Sequence, residues 1–401
     1  MRFPLLFTFL LLLGLAAKPV SAQDGAQEFP AWTRDLEGTI GPHRIALSLS
    51  READTLSGSY CYGDCKAGRI SLAGIVENGE MRLEERAAPD APVTGRWVLR
   101  SGMGPLSGEW RGPKGGKALP VVLGTAGAAH DFPFDIRVRA TGAPGAPESC
   151  NDVPAITAIL LRGPDGATQE LGTDSQGTCG MFLPEVVDVN FDGWPDLVIA
   201  LFLPAAPNIP QQYWIYDPVT GRMADAPAAL QEITSPEFIP EEKRIVSTWR
   251  AGCCDHGIDV YQWKGAGLEK VDSGESYFMP VRLKGEIVYC YVMPGYGHGR
   301  IDYAPAPVEA DGRLSLDLEG SDCDVSPGAF IDRIRIDVYG PEAQGSPLLR
   351  TARTRWAAVD MPEGRRWCPE IPVYDGGRID REVLRDEACL QKDPTAPAAA
   401  R

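Results

Sequence analysis

What the chain lacks narrows its function before any motif is considered. Histidine is scarce, four in 401 residues, and His43, His130, His256 and His298 are scattered, none with a nucleophile at suggestive spacing. There is no G-x-S-x-G elbow, no H-E-x-x-H, no Walker A loop and no paired dinucleotide glycines. Carboxylates abound, yet nothing marks a glycosidase pair. The expectation is a protein that is not an enzyme. Positive charge is also short: 39 Lys plus Arg stand against 55 Asp plus Glu, a net charge of -16. Phosphate backbones need a basic footprint, so nucleic acid is excluded as a partner. Uninterrupted segments are missing as well. The 44 glycines and 35 prolines break the chain every few residues, which rules out long helices over most of it.

What is present begins with the N-terminus. Arg2, an apolar run from Leu5 to Ala17 and the small-residue signature Val20-Ser21-Ala22 read as a cleavable signal peptide over residues 1–22. The run is too short for a membrane span, and no later stretch is apolar enough to make one. The expected location is therefore periplasmic or secreted, with no membrane insertion after cleavage. Losing Arg2 and Lys18 leaves 37 basic and 55 acidic residues, a mature charge of -18. Export makes disulfides the default for the ten cysteines. They fall in neighbouring couples: Cys61 and Cys65, Cys150 and Cys179, Cys253 and Cys254, Cys290 and Cys323, Cys368 and Cys389. Sequence leaves their connectivity open.

The fold class expected is mainly β: several antiparallel sandwich or meander modules with one short C-terminal helix. Residues 30–125 alternate in short strands such as Arg44–Leu49 and Arg69–Leu72, divided by turns such as Glu77-Asn78-Gly79-Glu80. Gly124 to Asp131 is a small-residue linker. A second β domain is placed over residues 130–275. A third, mainly β, covers residues 276–391, with a hairpin around Lys284-Gly285-Glu286 and a strand over Ile331–Val338. Ile379 to Leu390 has few breakers, and Val383, Leu384 and Ala388 share one side, so the helix is placed there. Residues 392–401, rich in Ala and Pro, are expected to be a disordered tail.

One motif carries chemistry. Asp188-Val189-Asn190-Phe191-Asp192-Gly193-Trp194-Pro195-Asp196 sets oxygen side chains at positions one, three, five and nine, with glycine at six. Calcium takes six to eight oxygens, and alternate residues on a tight turn aim at one point. The expected ligands are Asp188, Asn190, Asp192 and Asp196, with the Trp194 carbonyl at position seven; the alternative is an acidic turn without metal. It is not an EF-hand, because position twelve is Ile199 and the flanks read as strands. Cys253-Cys254-Asp255-His256 offers thiolate and imidazole ligands, but in an oxidising compartment a vicinal disulfide, or cysteines bonded elsewhere, is the plainer reading. Cys61-Tyr62-Gly63-Asp64-Cys65 lacks a second C-x-x-C and is expected to close a turn.

Residues 188–196 resemble the D-x-[DN]-x-D-G-x-x-D loop of FG-GAP and VCBS-type calcium sites, where a β-hairpin tip holds the ion. With Tyr213-Trp214-Ile215-Tyr216-Asp217 and Val260-Tyr261-Gln262-Trp263-Lys264, the middle domain is similar to bacterial periplasmic lysozyme-inhibitor-like proteins. The resemblance implies a structural calcium ion and inhibition of peptidoglycan-cleaving glycosidases. Leu56-Ser57-Gly58-Ser59-Tyr60 carries a Ser-Gly-x-Tyr element like that of some inhibitory loops, but no such role is transferred to it. The expected function is a secreted calcium-stabilised binding protein, with restraint of a basic cell-wall hydrolase as its expected action. A cell-envelope structural or carbohydrate-binding protein is the alternative, and an unrecognised hydrolase the third.

Overall fold

The computed structural model describes residues 25–395, apart from 89, 101, 103, 145–153, 178–181, 205–206, 253, 329 and 386–387. Residues 1–22, where a signal peptide is expected, Cys150, Cys179, Cys253 and residues 396–401 of the expected tail lie outside the described residues. Among the described residues no helix is long and apolar enough to cross a membrane. The architecture is mainly β.

The N-terminal meander closes on itself. β1 (Gln27–Ile40), β2 (His43–Glu52), β3 (Thr55–Tyr62), β4 (Ile70–Glu77), β5 (Glu80–Arg86), β6 (Val93–Arg100), β7 (Leu106–Arg111) and β8 (Leu119–Thr125) pair in order, each antiparallel to the next. β8 then returns to β1, with Leu36 opposite Thr125 and Ile40 opposite Val121. Closure removes the sheet edges that would otherwise invite foreign strands. Asn78 and Gly79, both at positive φ, make the two-residue turn between β4 and β5.

Period-two alternation sends Leu47, Leu49, Leu83, Trp97, Leu99 and Leu123 inward, and all are buried. An eight-stranded barrel is just wide enough for side chains to fill it. The filling includes one buried acid, Glu85, whose carboxylate accepts bonds from the Tyr60 hydroxyl at 2.7 Å, Trp110 Nε1 at 2.9 Å and Trp97 Nε1 at 3.3 Å. Tyr60, from the Ser-Gly-x-Tyr element, is thus a buried barrel residue. Neighbouring strands approach so closely that a Cβ on Gly108 would lie 2.0 Å from the Val98 carbonyl oxygen.

β1 is longer than the barrel needs, and its first half organises the next region. Its start pairs with β9 (Asp135–Ala140), and Thr33 and Arg34 pair in parallel with β12 (Glu185–Val187). β10 (Ile156–Arg162) and β11 (Thr168–Ser175) extend the sheet from β9. From β12 it continues through β13 (Asp196–Ala200), β14 (Gln211–Asp217) and β15 (Arg222–Asp225). One apolar core runs from the barrel under these strands. A single-turn helix, α1 (Ala228–Gln231), leads to a four-stranded sheet of β16 (Pro236–Ile239), β17 (Arg244–Arg250), β18 (His256–Lys264) and β19 (Gly267–Glu275).

The C-terminal part holds two sheets. β20 (Tyr277–Leu283) and β21 (Glu286–Gly297) form the hairpin read from the sequence, turning at Lys284 and Gly285, both at positive φ. β22 (Arg300–Ala304) joins β21. β23 (Val308–Ala310), β24 (Arg313–Ser315), β25 (Arg335–Tyr339) and β26 (Leu348–Arg353) make the smaller sheet. β27 (Arg355–Met361), β28 (Gly364–Asp375) and β29 (Arg378–Val383) complete the larger one.

Two expectations are corrected here. The helix expected over Ile379–Leu390 is overturned by β29, which makes Arg378–Val383 a strand. Gly376 and Gly377, both at positive φ, make a tight turn that lays β29 against β28, with Ile379 opposite Tyr374 and Val383 opposite Glu370. Beyond it, Leu390 exchanges two backbone hydrogen bonds with Trp367, and Cys389 is bonded to Cys368. The strand expected over Ile331–Val338 begins only at Arg335, because Ile331–Arg333 is a turn of 3-10 helix.

Disulfides join Cys61 to Cys65, Cys290 to Cys323 and Cys368 to Cys389. The first closes the turn after β3, and the other two staple the C-terminal sheets.

Candidate metal centre

The Asp188–Asp196 loop is the tip of the hairpin formed by β12 and β13, with Val187 opposite Asp196 where the strands begin to pair. Valine and isoleucine drive the flanking strands into the core: Val186, Leu197, Val198 and Ile199 are all buried. Two residues at positive φ reverse the chain, Phe191 at 58° and Gly193 at 92°. Space adds to the case for glycine at Gly193, since a Cβ would crowd the Ala129 side chain at 3.1 Å.

The four expected side-chain ligands face different partners. Asp188 is buried, and its two oxygens accept the amides of Asp192 at 3.2 Å and Gly193 at 2.8 Å. The Asn190 Oδ1 also accepts the Asp192 amide, and its Nδ2 donates to Asp192 Oδ2 at 3.0 Å. Asp192 Oδ1 accepts the Trp194 amide at 2.8 Å. Asp196 is fully buried and is turned inward: it accepts the Val189 amide at 2.9 Å and, from the next strand, the Tyr216 amide at 2.8 Å. Asp188, Asn190 and Asp192 are therefore brought together, whereas both oxygens of Asp196 are taken by amides and anchor β14. Among the described residues no three His, Cys, Asp or Glu side chains form a ready-made metal cluster. The oxygens brought together come from two carboxylates, Asp188 and Asp192, and the Asn190 side-chain amide.

Electrostatics sharpen the picture. Burial pushes the Asp196 carboxyl up to about 8, against its two amide donors, and the charges of Asp188 and Asp192 push the same way. Burial raises Asp188 too, with Asp192 adding to the shift and the amides opposing it. Amides arranged for carboxylates and burial that disfavours their charge pull in opposite directions. A hard cation among these oxygens would relieve that conflict.

The surroundings lock the loop. Its Gly193 carbonyl accepts the amides of Ala129 and His130 from the linker after β8, the Val189 carbonyl accepts Trp263 Nε1 at 2.9 Å, and the Phe191 carbonyl accepts Lys243 Nζ at 3.4 Å. Among the described residues no hydrogen bond ends on the carbonyl of Trp194, the expected position-seven ligand. The Trp194 ring stacks on His130 with centroids 3.8 Å apart and leans on Tyr216 at 5.3 Å. Sequence reading missed this cover, because His130 lies some sixty residues away in a linker whose other residues are mostly small.

The other candidates take structural places. His256 Nδ1 meets the Tyr291 hydroxyl at 2.6 Å, which donates to the buried Ser276, at the seam between β18 and β21. Asp255 pairs with Arg333. His298 sits at positive φ on the two-residue turn between β21 and β22. His43 opens β2 with its ring edge-on to Tyr62.

A family model matches the C-terminal part. Residues 278–394 match a family described as a domain of unknown function, DUF8339. The match starts inside β20 and runs past β29. No curated protein matches the chain.

Proposed function

We propose that this is an exported, calcium-stabilised binding protein whose middle region restrains a basic peptidoglycan-cleaving glycosidase. The observation that carries the calcium part is the Asp188–Asp196 hairpin tip. It gathers an all-oxygen donor set, raises its buried carboxyls and fixes its backbone from three sides. Disulfides in three of the neighbouring cysteine couples support an oxidising compartment, in line with the N-terminal signal sequence. When bound, calcium would supply charge balance and rigidity. The chain's own residues do the rest: Asp196 ties the hairpin to β14, and Lys243 and Trp263 hold the loop against the four-stranded sheet.

The hydrolase part rests on the resemblance of the middle region to periplasmic lysozyme inhibitors and on charge. The mature chain, at -18, attracts basic partners over a distance of about a Debye length. The test is muramidase turnover on cell walls at micromolar concentrations of the purified protein, in calcium, at low and physiological salt. Inhibition that weakens with salt is expected. Unchanged turnover across lysozyme types and the host's own wall hydrolases would overturn this part.

A further inference from the structure

Tyr216, anchored through its amide by Asp196, also lines a cavity that the reading above leaves unused. The cavity lies between the turn joining β10 to β11 and the turn joining β14 to β15. Its volume is about 340 Å³, within the range of small-molecule sites. One wall is aromatic: Phe134 and Tyr216 meet edge to face, with centroids 5.8 Å apart. Trp194 backs Tyr216, so this wall is held by the metal-centre loop. The spacing of the two hairpins is fixed by Gln169, whose amide donates to the Met223 carbonyl at 2.7 Å and accepts the Met223 amide at 3.0 Å.

The remaining wall is polar and carries one charge of each sign. Asp165 uses one oxygen on the Ala167 amide at 2.9 Å and keeps the other. Arg222 lines the same cavity and makes no ion pair among the described residues. A carboxylate accepts, a guanidinium donates in a fork, and together they match vicinal hydroxyls. Their charges cancel, so the cavity asks for a neutral ligand, and the acidic chain around it repels polyanions. An aromatic wall opposite such a pair suits a flat, CH-rich ring bearing hydroxyls.

We propose that this cavity binds one neutral pyranose residue of a glycan, its ring against Phe134 and Tyr216 and its hydroxyls on Asp165 and Arg222. The inference goes beyond hydrolase inhibition and does not depend on it, because no hydrolase enters the test. The full chain in calcium is titrated with methyl glycosides of glucose, galactose and mannose, with N-acetylglucosamine and with its trisaccharide, read by saturation-transfer NMR. At least one should bind. Arg222→Ala removes an exposed side chain and Asp165→Asn keeps the turn's amide acceptor, so both should melt like wild type. Each should weaken the bound sugar by about tenfold, the scale of one lost charged hydrogen bond. No binding of any probe at about 20 mM, a weaker than millimolar affinity by the ligand-efficiency scale for so small a ligand, overturns the proposal. So does an affinity that neither substitution changes, or a cavity that takes glucuronate in preference to the neutral sugars.

Discussion

Glu185 gives the sharpest test of how the barrel is joined to the Asp188–Asp196 hairpin. It lies in β12, opposite Thr33 of β1 and Val198 of β13. Burial, with the charge of Asp35 adding to it, raises its carboxyl from 4.5 to about 7. Burial raises the Tyr213 hydroxyl, and the charge of Glu185 adds to it. The folded protein therefore holds this proton more tightly than the unfolded chain. Stability is highest below the unfolded value and falls as pH rises towards 7, then levels off. A shift of about 2.5 units at 1.36 kcal/mol each sets a ceiling near 3 kcal/mol, and partial exposure of the side chain reduces it to about 2 kcal/mol. Glu185→Gln keeps the shape and removes the charge. Urea unfolding of both proteins at pH 4.5 and pH 8.5 should give curves within about 0.4 kcal/mol at the lower pH, where half of the unfolded carboxyls are ionised. At the higher pH the variant should be more stable by about 2 kcal/mol. A variant equal to or weaker than wild type at pH 8.5 would refute the argument.

Further outcomes follow from the same structure. Alkylation of the unreduced protein should leave Cys61, Cys65, Cys290, Cys323, Cys368 and Cys389 unlabelled in peptide mass spectra. Reduction of Cys368–Cys389 should release the segment after β29, seen as new proteolytic cleavage there, because that bond and the Leu390–Trp367 pair hold it. Gly108→Ala should cost at least about 2 kcal/mol in chemical unfolding, since the new methyl would overlap the Val98 carbonyl and the barrel strands must part.

How much of this was legible in the sequence depended on how local the cause was. Asn78-Gly79 and Lys284-Gly285 announced their turns because positive φ at adjacent residues is a property of two positions. The Asp188–Asp196 loop was legible for the same reason: its alternating oxygens and Gly193 act within nine residues. Barrel closure was not, since it depends on Leu36 meeting Thr125 across the whole meander. The dual use of β1, half in the barrel and half beside β9 and β12, is equally long-range. The C-terminal segment misled because Val383, Leu384 and Ala388 share a helical face, yet Gly376-Gly377 and the Cys368–Cys389 bond set its path as a strand and loop. At the site, the acids could be read, but His130 over Trp194 and Trp263 on Val189 come from remote segments with no shared pattern.

The central claim is that the Asp188–Asp196 loop is a structural calcium site. It is tested most directly by thermal unfolding of wild type and Asp192→Asn, each in EDTA and in about 10 mM calcium. Modules of this kind bind at roughly 0.1 to 1 mM, so calcium at about 100 times the tighter limit should add about 2.7 kcal/mol to wild type. Wild type should therefore melt several degrees higher in calcium, magnesium should restore little of that, and Asp192→Asn should melt alike in both buffers. Identical calcium responses in the two proteins, or none in wild type, would show the loop to be an acidic turn and contradict the account.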